Sequence, residues 1–496
     1  MNTWTFSNVK PLADTDGKYL HSHGGHLLYA EDGYYYLYGE WGEIEQTGRE
    51  GRKISCYRSP DLTDWEYRGV MLDVNTPRAA YNLTKATNPT MERSKTPPTE
   101  EIWAHYKNSP NVGATIQRPK ILYNKLTKKY MLWMHWEDGM GFALSHCAVA
   151  SSDRPDGPYV YHGSFRPAGF MSRDSTAFQD EDGTAYFISA ARDNADFHIY
   201  RLTEDYMAID ECVKRIFPDQ YREAPALFKR KGVYFLMSSE CMGAEPNQCM
   251  YSWTRDIMGR WSLNRPIASP TTYDTQPAFV MSINSVNGTH YFYVGDRWNP
   301  SEFYRNARYI ILPLTFPTDT SLAMEWCDEF TIDLQTGEIA TKTEPTGLVR
   351  LRSRCGARQA RYLLPKGESK SAGAALAARR LEYGVEIIMW RALDAGDGRI
   401  YLQNSYNGLR LAAHGDKTVT LEEPADVASQ KWKKEDLFDG SCRLYDSNGL
   451  ALSVTIKDGE MECGVAEPRT VYDPAWGRDN QAFMLTDVYP CEHFKA

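Results

Sequence analysis

Three short phrases place groups with acid–base capacity just ahead of apolar runs: SRDSTAFQDEDG with Asp174, YREAPALF with Glu223, and DTQPAF with Asp274 and Gln276. Two carboxyls flanking a glycosidic bond can cleave it. One is held protonated and gives its proton to the leaving oxygen, while the other, ionised, activates a water across the ring. Glu223 is followed by Ala-Pro and an apolar strand, a partly buried setting that would raise its pKa and suit the acid role. The other reading is a structural carboxylate paired with the adjacent Arg222. Asp174, beside Arg173, has the same two readings: a second carboxylate that tunes the acid, or a salt-bridged strand cap. Asp274 could serve as a base beside Gln276 only if the strand alternates regularly there, because residues two apart then share a face.

Other constellations carry less. HSHGGH (His21, His23, His26) has imidazoles at spacings compatible with zinc, but no carboxylate or thiol follows at a diagnostic interval. The reading preferred is a tight, glycine-permitted backbone with hydrogen-bonding histidines. No P-loop, G-x-S-x-G elbow or dinucleotide fingerprint is present, so ATP-, NAD- and serine-hydrolase chemistry are set aside. The ten cysteines are dispersed without a C-x-x-C pair and read as free buried thiols. No cofactor and no metal ligand set is expected; a structural cation is conceivable, with no diagnosable ligands.

These phrases need elements to hold them. DGYYYLYGE, KKYMLWMH, DGTAYFISA, KGVYFLMSSE and NGTHYFYVGD each read as a turn leading into an alternating aromatic strand. Between them lie segments such as ISCYRSPDLTDWEYRG and YSWTRDIMGRWS, which read as the next strand and an outer strand. Five such units predict an all-β architecture in which residues 1–335 form a five-bladed β-propeller. Asp174, Glu223 and Gln276 each precede a repeat phrase, which puts them on innermost strands around one shared cavity. The Pro-, Thr- and Lys-rich stretch around 73–111 reads as a long loop, either a binding wall or a surface insertion. Residues 336–496 carry a second repeat. Asn407-Gly408-Leu409 and Asn448-Gly449-Leu450 match, and units close at Trp390, Trp432 and Phe483, which predicts a β-trefoil-like domain for carbohydrate binding or bracing.

Composition narrows the partners. Among 496 residues, 56 Lys+Arg against 65 Asp+Glu give a net charge of −9 with no basic tract, disfavouring nucleic acid and anionic membrane surfaces. No apolar run is long enough to span a bilayer. The 13 Trp, 32 Tyr and 18 Phe suit either sugar stacking or strand packing. The N-terminal segment lacks the pattern of a secretory signal, so a cytoplasmic location is expected, or a secreted one if a leader has been removed.

Taken in order, HSHGGHLLYAEDGYYYLYGE, RPKILYNKLTKKYMLWMH, SRDSTAFQDEDGTAYFISA, YREAPALFKRKGVYFLMSS, YDTQPAFV and YVGDRW resemble the blade motifs of glycoside hydrolase family 43, in particular its exo-β-1,3-galactanase-like branch. The endings Gln430-Lys431-Trp432 and Gln481-Ala482-Phe483 resemble those of ricin-type lectin modules. The family resemblance implies inverting, exo-acting removal of terminal galactose, or arabinofuranose, from β-1,3-galactan or arabinogalactan-type oligosaccharides. It implies Glu223 as general acid, Asp174 as the carboxylate that orients and tunes it, and Glu40, Asn194 and Trp298 as sugar contacts. Two positions depart from the wider family. His23-Gly24 stands where the usual base is an Asp, which by resemblance to the galactanase branch passes the water to Gln276. Gln117 stands where Glu-Arg-Pro-Lys would supply a further carboxylate. An amide orients water but does not take up a proton in its ordinary form, so a carbohydrate-binding protein that has lost catalysis is the alternative.

Overall fold

The computed structural model describes residues 3–41, 53–73, 75–79, 114–137, 141–299, 303–355, 361–381, 385–457, 460–470 and 479–490. Most of the 73–111 stretch lies outside them. The chain divides into two compact units, Met1–Thr343 and Glu344–Ala496, with Met242–Glu245 and Asn299–Phe303 grouped with the second.

The first unit holds five four-stranded antiparallel sheets in sequence order. Their innermost strands are His23–Tyr29, Thr115–Asn124, Ser175–Gln179, Arg222–Arg230 and Gln276–Ser285. Each is joined by a hairpin to the second strand of its blade, which carries the aromatic repeat phrase. The turns use residues suited to the left-handed region, such as Gly33 and Gly183 at φ 83° and 88°. Second strands are largely buried on both faces: in Lys129–Glu137 all but the first residue are buried. This follows from sheets packed face to face, and the aromatic side chains fill the space between neighbouring blades. Trp136 stacks on Tyr161 (4.8 Å) in a cluster shared by blades 1 and 2, and Trp133 meets Phe187 (5.0 Å) between blades 2 and 3. Much of the aromatic excess is therefore core.

A three-stranded sheet completes this unit: Thr3–Ser7 pairs with Glu329–Asp333, whose other edge takes Ile339–Lys342. The boundary expected at 335 accordingly falls at 343, because the short polar strand Ile339–Lys342 is hydrogen-bonded to the first unit.

The second unit has twelve strands in a threefold pattern. In each four-strand group the first strand pairs with the second and the fourth, the second with the third, and the fourth with the first strand of the next group. Val349–Ser353 closes the ring on Phe483–Asp487. This is trefoil pairing. Trp390, Trp432 and Phe483 all lie in its core at 0% exposure. The indoles of Trp390 and Trp432 donate to equivalent carbonyls, Leu363 and Leu411, each at 3.0 Å. Gln430 and Gln481 explain the Gln-x-aromatic endings: each amide donates to one loop carbonyl (Glu423, Glu467) and accepts from the N–H two residues on (Ala425, Arg469).

Among the described residues no helix is long and apolar enough to cross a membrane.

Candidate active site

One residue of each innermost strand, or the residue just before it, occupies the same register position at the mouth of the propeller: His23, Gln117, Asp174, Glu223 and Gln276. Their cross-strand partners are Glu40, His135, Ala190, Ser239 and Asp296. Immediately afterwards the register slips in blades 1, 2 and 4, through β-bulges at His23/His26, Gln117/Lys120 and Glu223/Ala226. In each bulge the first residue is left-handed: Gly24 (φ 58°), Arg118 (φ 54°) and Ala224 (φ 53°). Bulges re-aim side chains, and left-handed non-glycine residues must be held in place by their surroundings.

Carboxylates of the preceding blade do the holding. Asp296 Oδ2 accepts the Gly24 N–H (2.9 Å), Glu40 Oε1 the Arg118 N–H (2.9 Å), and Asp174 Oδ2 the Ala224 N–H (3.0 Å). Glu40 and Asp296 are 1% and 0% exposed. Gly24 is required where it stands, because a Cβ there would lie 2.5 Å from Glu40 Oε1. The histidines separate: His23 Nδ1 pairs with Asp296 (3.2 Å), while His26 Nδ1 accepts the Ile121 N–H and burial pushes its pKa down to about 3. Among the described residues no cluster of three or more His, Cys, Asp or Glu could hold a metal ion.

Neither acid pairs with its neighbouring arginine. Arg222 turns away to the backbone carbonyl and hydroxyl of Ser238, and Arg173 reaches Asp193 (2.7 Å). Asp174 instead takes Arg118 of blade 2 at 3.1 Å. Glu223 is partly exposed, and its pKa is pushed up to about 8, first by desolvation and then by the Asp174 charge, against the opposing pull of Arg118. A carboxyl that keeps its proton at neutral pH can donate it.

Gln276 sits directly against this acid: its Nε2 donates to Glu223 Oε1 (3.0 Å) and to Ser239 Oγ (3.0 Å). Its Oε1 receives Arg118 Nη2 (2.6 Å) and the Trp298 indole (2.8 Å). Gln276 and Glu223 thus form one hydrogen-bonded pair, where two groups spanning a sugar ring would stand about 6.5–9.5 Å apart. Asp274 is excluded from this strand face: Thr272, Tyr273 and Asp274 form a left-handed turn (φ 53°, 56°, 62°) ahead of the strand, and alternation does not extend to them.

Asn194 comes from another such turn, Arg192–Asp193–Asn194 (φ 52°, 56°, 66°). Its Nδ2 stands 3.5 Å from Glu223 Oε2, with the Cys241 thiol beside both side chains. Gln117 is partly exposed at the mouth, next to Arg118.

Sequence reasoning did not single out Arg118, Asp296 or Ser239. Arg118 was within reach, as the one cation standing immediately after a mouth position, in Gln117-Arg118-Pro119-Lys120.

Comparison with known proteins gives this geometry its setting. The model of glycosyl hydrolases family 43 matches residues 119–279. The solved structure of an exo-β-1,3-galactanase from Clostridium thermocellum is 31% identical, covers 98% of this chain and 100% of its own, and superposes with a TM-score of 0.58. The chain belongs to glycosyl hydrolase family 43. A second family 43 fold, an exo-β-1,3-galactanase from Phanerochaete chrysosporium with galactose, is 22% identical over 99% of this chain and 95% of its own (TM-score 0.57) and shares the architecture. A β-D-galactofuranosidase of Aspergillus niger is 25% identical over 193 residues, 38% of this chain. That match spans about half, 48%, of the curated relative's length. The mouth thus gathers one carboxyl with a raised pKa, Glu223, one acidic neighbour that helps raise it, Asp174, and fixed hydrogen-bond donors around them.

Proposed function

We propose that this family 43 enzyme is an exo-acting, inverting hydrolase that removes terminal galactose from β-1,3-galactan or arabinogalactan-type oligosaccharides, with arabinofuranose as the alternative leaving sugar. The observation that carries the reading is Glu223. Its pKa is raised to about 8 by desolvation and the Asp174 charge, its Oε1 is held by the Gln276 amide at 3.0 Å, and its Oε2, with only the longer 3.5 Å contact to Asn194 Nδ2, is the oxygen that can meet a leaving group. The whole-length likeness to the galactanase of C. thermocellum supports galactose.

In this reading Glu223 protonates the glycosidic oxygen as the C–O bond breaks, a water adds to the anomeric carbon from the opposite face, and the proton that this water sheds passes to solvent, from which Glu223 regains its own. Asp174 keeps Glu223 protonated by charge and fixes the Ala224 bulge that aims it. Asn194 and Trp298 line the sugar position; Gln117 and His23 occupy the remaining mouth positions, and Glu40 holds the Arg118 bulge. For residues 344–496 the saturated glutamine and tryptophan hydrogen bonds support a structural role over a binding one.

Incubation with β-1,3-galactobiose, β-1,3-galactotriose, and p-nitrophenyl β-galactoside and α-arabinofuranoside tests this. Galactose should be the first and only monosaccharide released from the oligosaccharides, with galactobiose accumulating transiently from the trimer. Release of arabinose alone would move the assignment to arabinofuranosides, and no turnover on any of them would remove the hydrolase reading.

A further inference from the structure

Arg118 is 4% exposed and binds groups from three other blades at once. Its backbone N–H meets Glu40 of blade 1, its Nε and Nη2 meet Asp174 of blade 3, and its Nη1 and Nη2 meet the Pro277 carbonyl (3.0 Å) and Gln276 Oε1 (2.6 Å) of blade 5. Blade 4, which carries Glu223, is reached through the Gln276 amide. The left-handed φ of 54° at Arg118, in a bulge followed by Pro119, is a strain that this set of contacts must hold.

The hydrogen-bond types fix the amide's orientation. The guanidinium and the Trp298 indole can only donate, so the atom they share must be the oxygen of Gln276, and the amide nitrogen faces Glu223 and Ser239. An N–H pointed at Glu223 Oε1 requires an acceptor there. In the protonated acid the carbonyl is the stronger acceptor and takes the shorter contact, 3.0 Å at Oε1 against 3.5 Å from Asn194 Nδ2 to Oε2, so the hydrogen resides on Oε2. If the amide turned over, its oxygen would draw the acid's hydrogen to Oε1, away from the leaving group.

We propose that Arg118 is a positioning residue for the reaction: by gripping the oxygen of Gln276 it turns the amide to Glu223 and so decides which carboxyl oxygen carries the transferable proton. This rests on the reading of Glu223 as general acid. A lysine would keep the charge but cannot hold Gln276, Asp174 and Pro277 together, because only the planar guanidinium has donors in a fixed fork.

The test is a double-mutant cycle on galactobiose hydrolysis, with R118K, Q276L and the double variant, each checked for an unchanged melting temperature. R118K should lower kcat by on the order of 10²-fold, the lower end of what a general acid contributes, with KM moving only a few-fold. In the Q276L background the same change should cost almost nothing further, since the group it acts through is gone. An equal kcat loss from R118K with and without Gln276, or an R118K enzyme with wild-type kcat, overturns the proposal. Should R118K fail to fold, W298F, which removes the other donor to the same oxygen, is run through the same cycle with the same two outcomes. An E223Q enzyme that keeps wild-type kcat would instead remove the underlying assignment of the acid and leave the orientation of Gln276 standing.

Discussion

The two repeats of this chain meet opposite demands. In residues 344–496 each feature of the repeat recurs in two of the three groups: Gln430 and Gln481 make the same pair of loop hydrogen bonds, and Trp390 and Trp432 donate to equivalent carbonyls. In the propeller the blades agree in strand order and register, yet the mouth position is His, Gln, Asp, Glu and Gln in turn. Three of the five innermost strands break there into bulges held by carboxylates. Where the repeated positions stay alike, they serve packing, and the proposed chemistry falls where they diverge and the backbone is strained.

Substitutions at the two kinds of position should therefore separate turnover from stability. Glu223→Gln keeps the shape and removes the proton donor; kcat should fall by about 10²–10⁴-fold, with galactose affinity by calorimetry within a few-fold of wild type. Trp432→Ala, in a fully buried core site, should cost about 3–5 kcal/mol in denaturant unfolding of the second unit while the pH profile of hydrolysis stays unchanged.

Asp174→Asn sharpens the contrast within the mouth. The Asp174 charge raises the Glu223 pKa, so its loss favours ionisation of Glu223, and the basic limb of kcat/KM, expected near pH 8 in the wild type, should move to lower pH. Gln430→Ala gives up the two loop hydrogen bonds and should cost about 1–3 kcal/mol in unfolding, with kcat unchanged. The smallest effect is expected from Gln117→Glu, which adds a carboxylate beside the pocket. Like charge disfavours ionised Glu223, so the basic limb should rise slightly above its wild-type position.

Much of the architecture was legible, because it rests on local patterns: turn residues ahead of alternating aromatics for the blades, and Asn-Gly-Leu with Gln-x-aromatic for the trefoil. Of the five mouth residues, Asp174, Glu223 and Gln276 were legible for the same reason, each standing a short interval ahead of a repeat phrase, while His23 and Gln117 were marked through the family resemblance. What pairs with them was not. Glu223 and Asp174 stand next to arginines in sequence, yet strand alternation sends Arg222 and Arg173 elsewhere and leaves Arg118, more than fifty residues from Asp174 (|i−j| of 56), to make the contact. The bulge at Arg118 cannot be read from Gln-Arg-Pro-Lys, because the force that holds it is a carboxylate on another blade. Asp274 failed as a strand residue because Thr272–Asp274 turn left-handed, a conformation that Thr and Tyr do not advertise. The domain boundary slipped by eight residues because Ile339–Lys342 is too short and polar to signal a strand.

The central claim, that Glu223 gives its proton from this mouth in an inverting exo-hydrolysis, is tested most directly by proton NMR of galactobiose hydrolysis during its first minutes, wild type beside Glu223→Gln. The account predicts α-galactose as the first anomer formed by the wild type, with the β-anomer appearing only through mutarotation, and no detectable product from the variant over the same interval. β-Galactose formed first, or product from the variant at the wild-type rate, would contradict it.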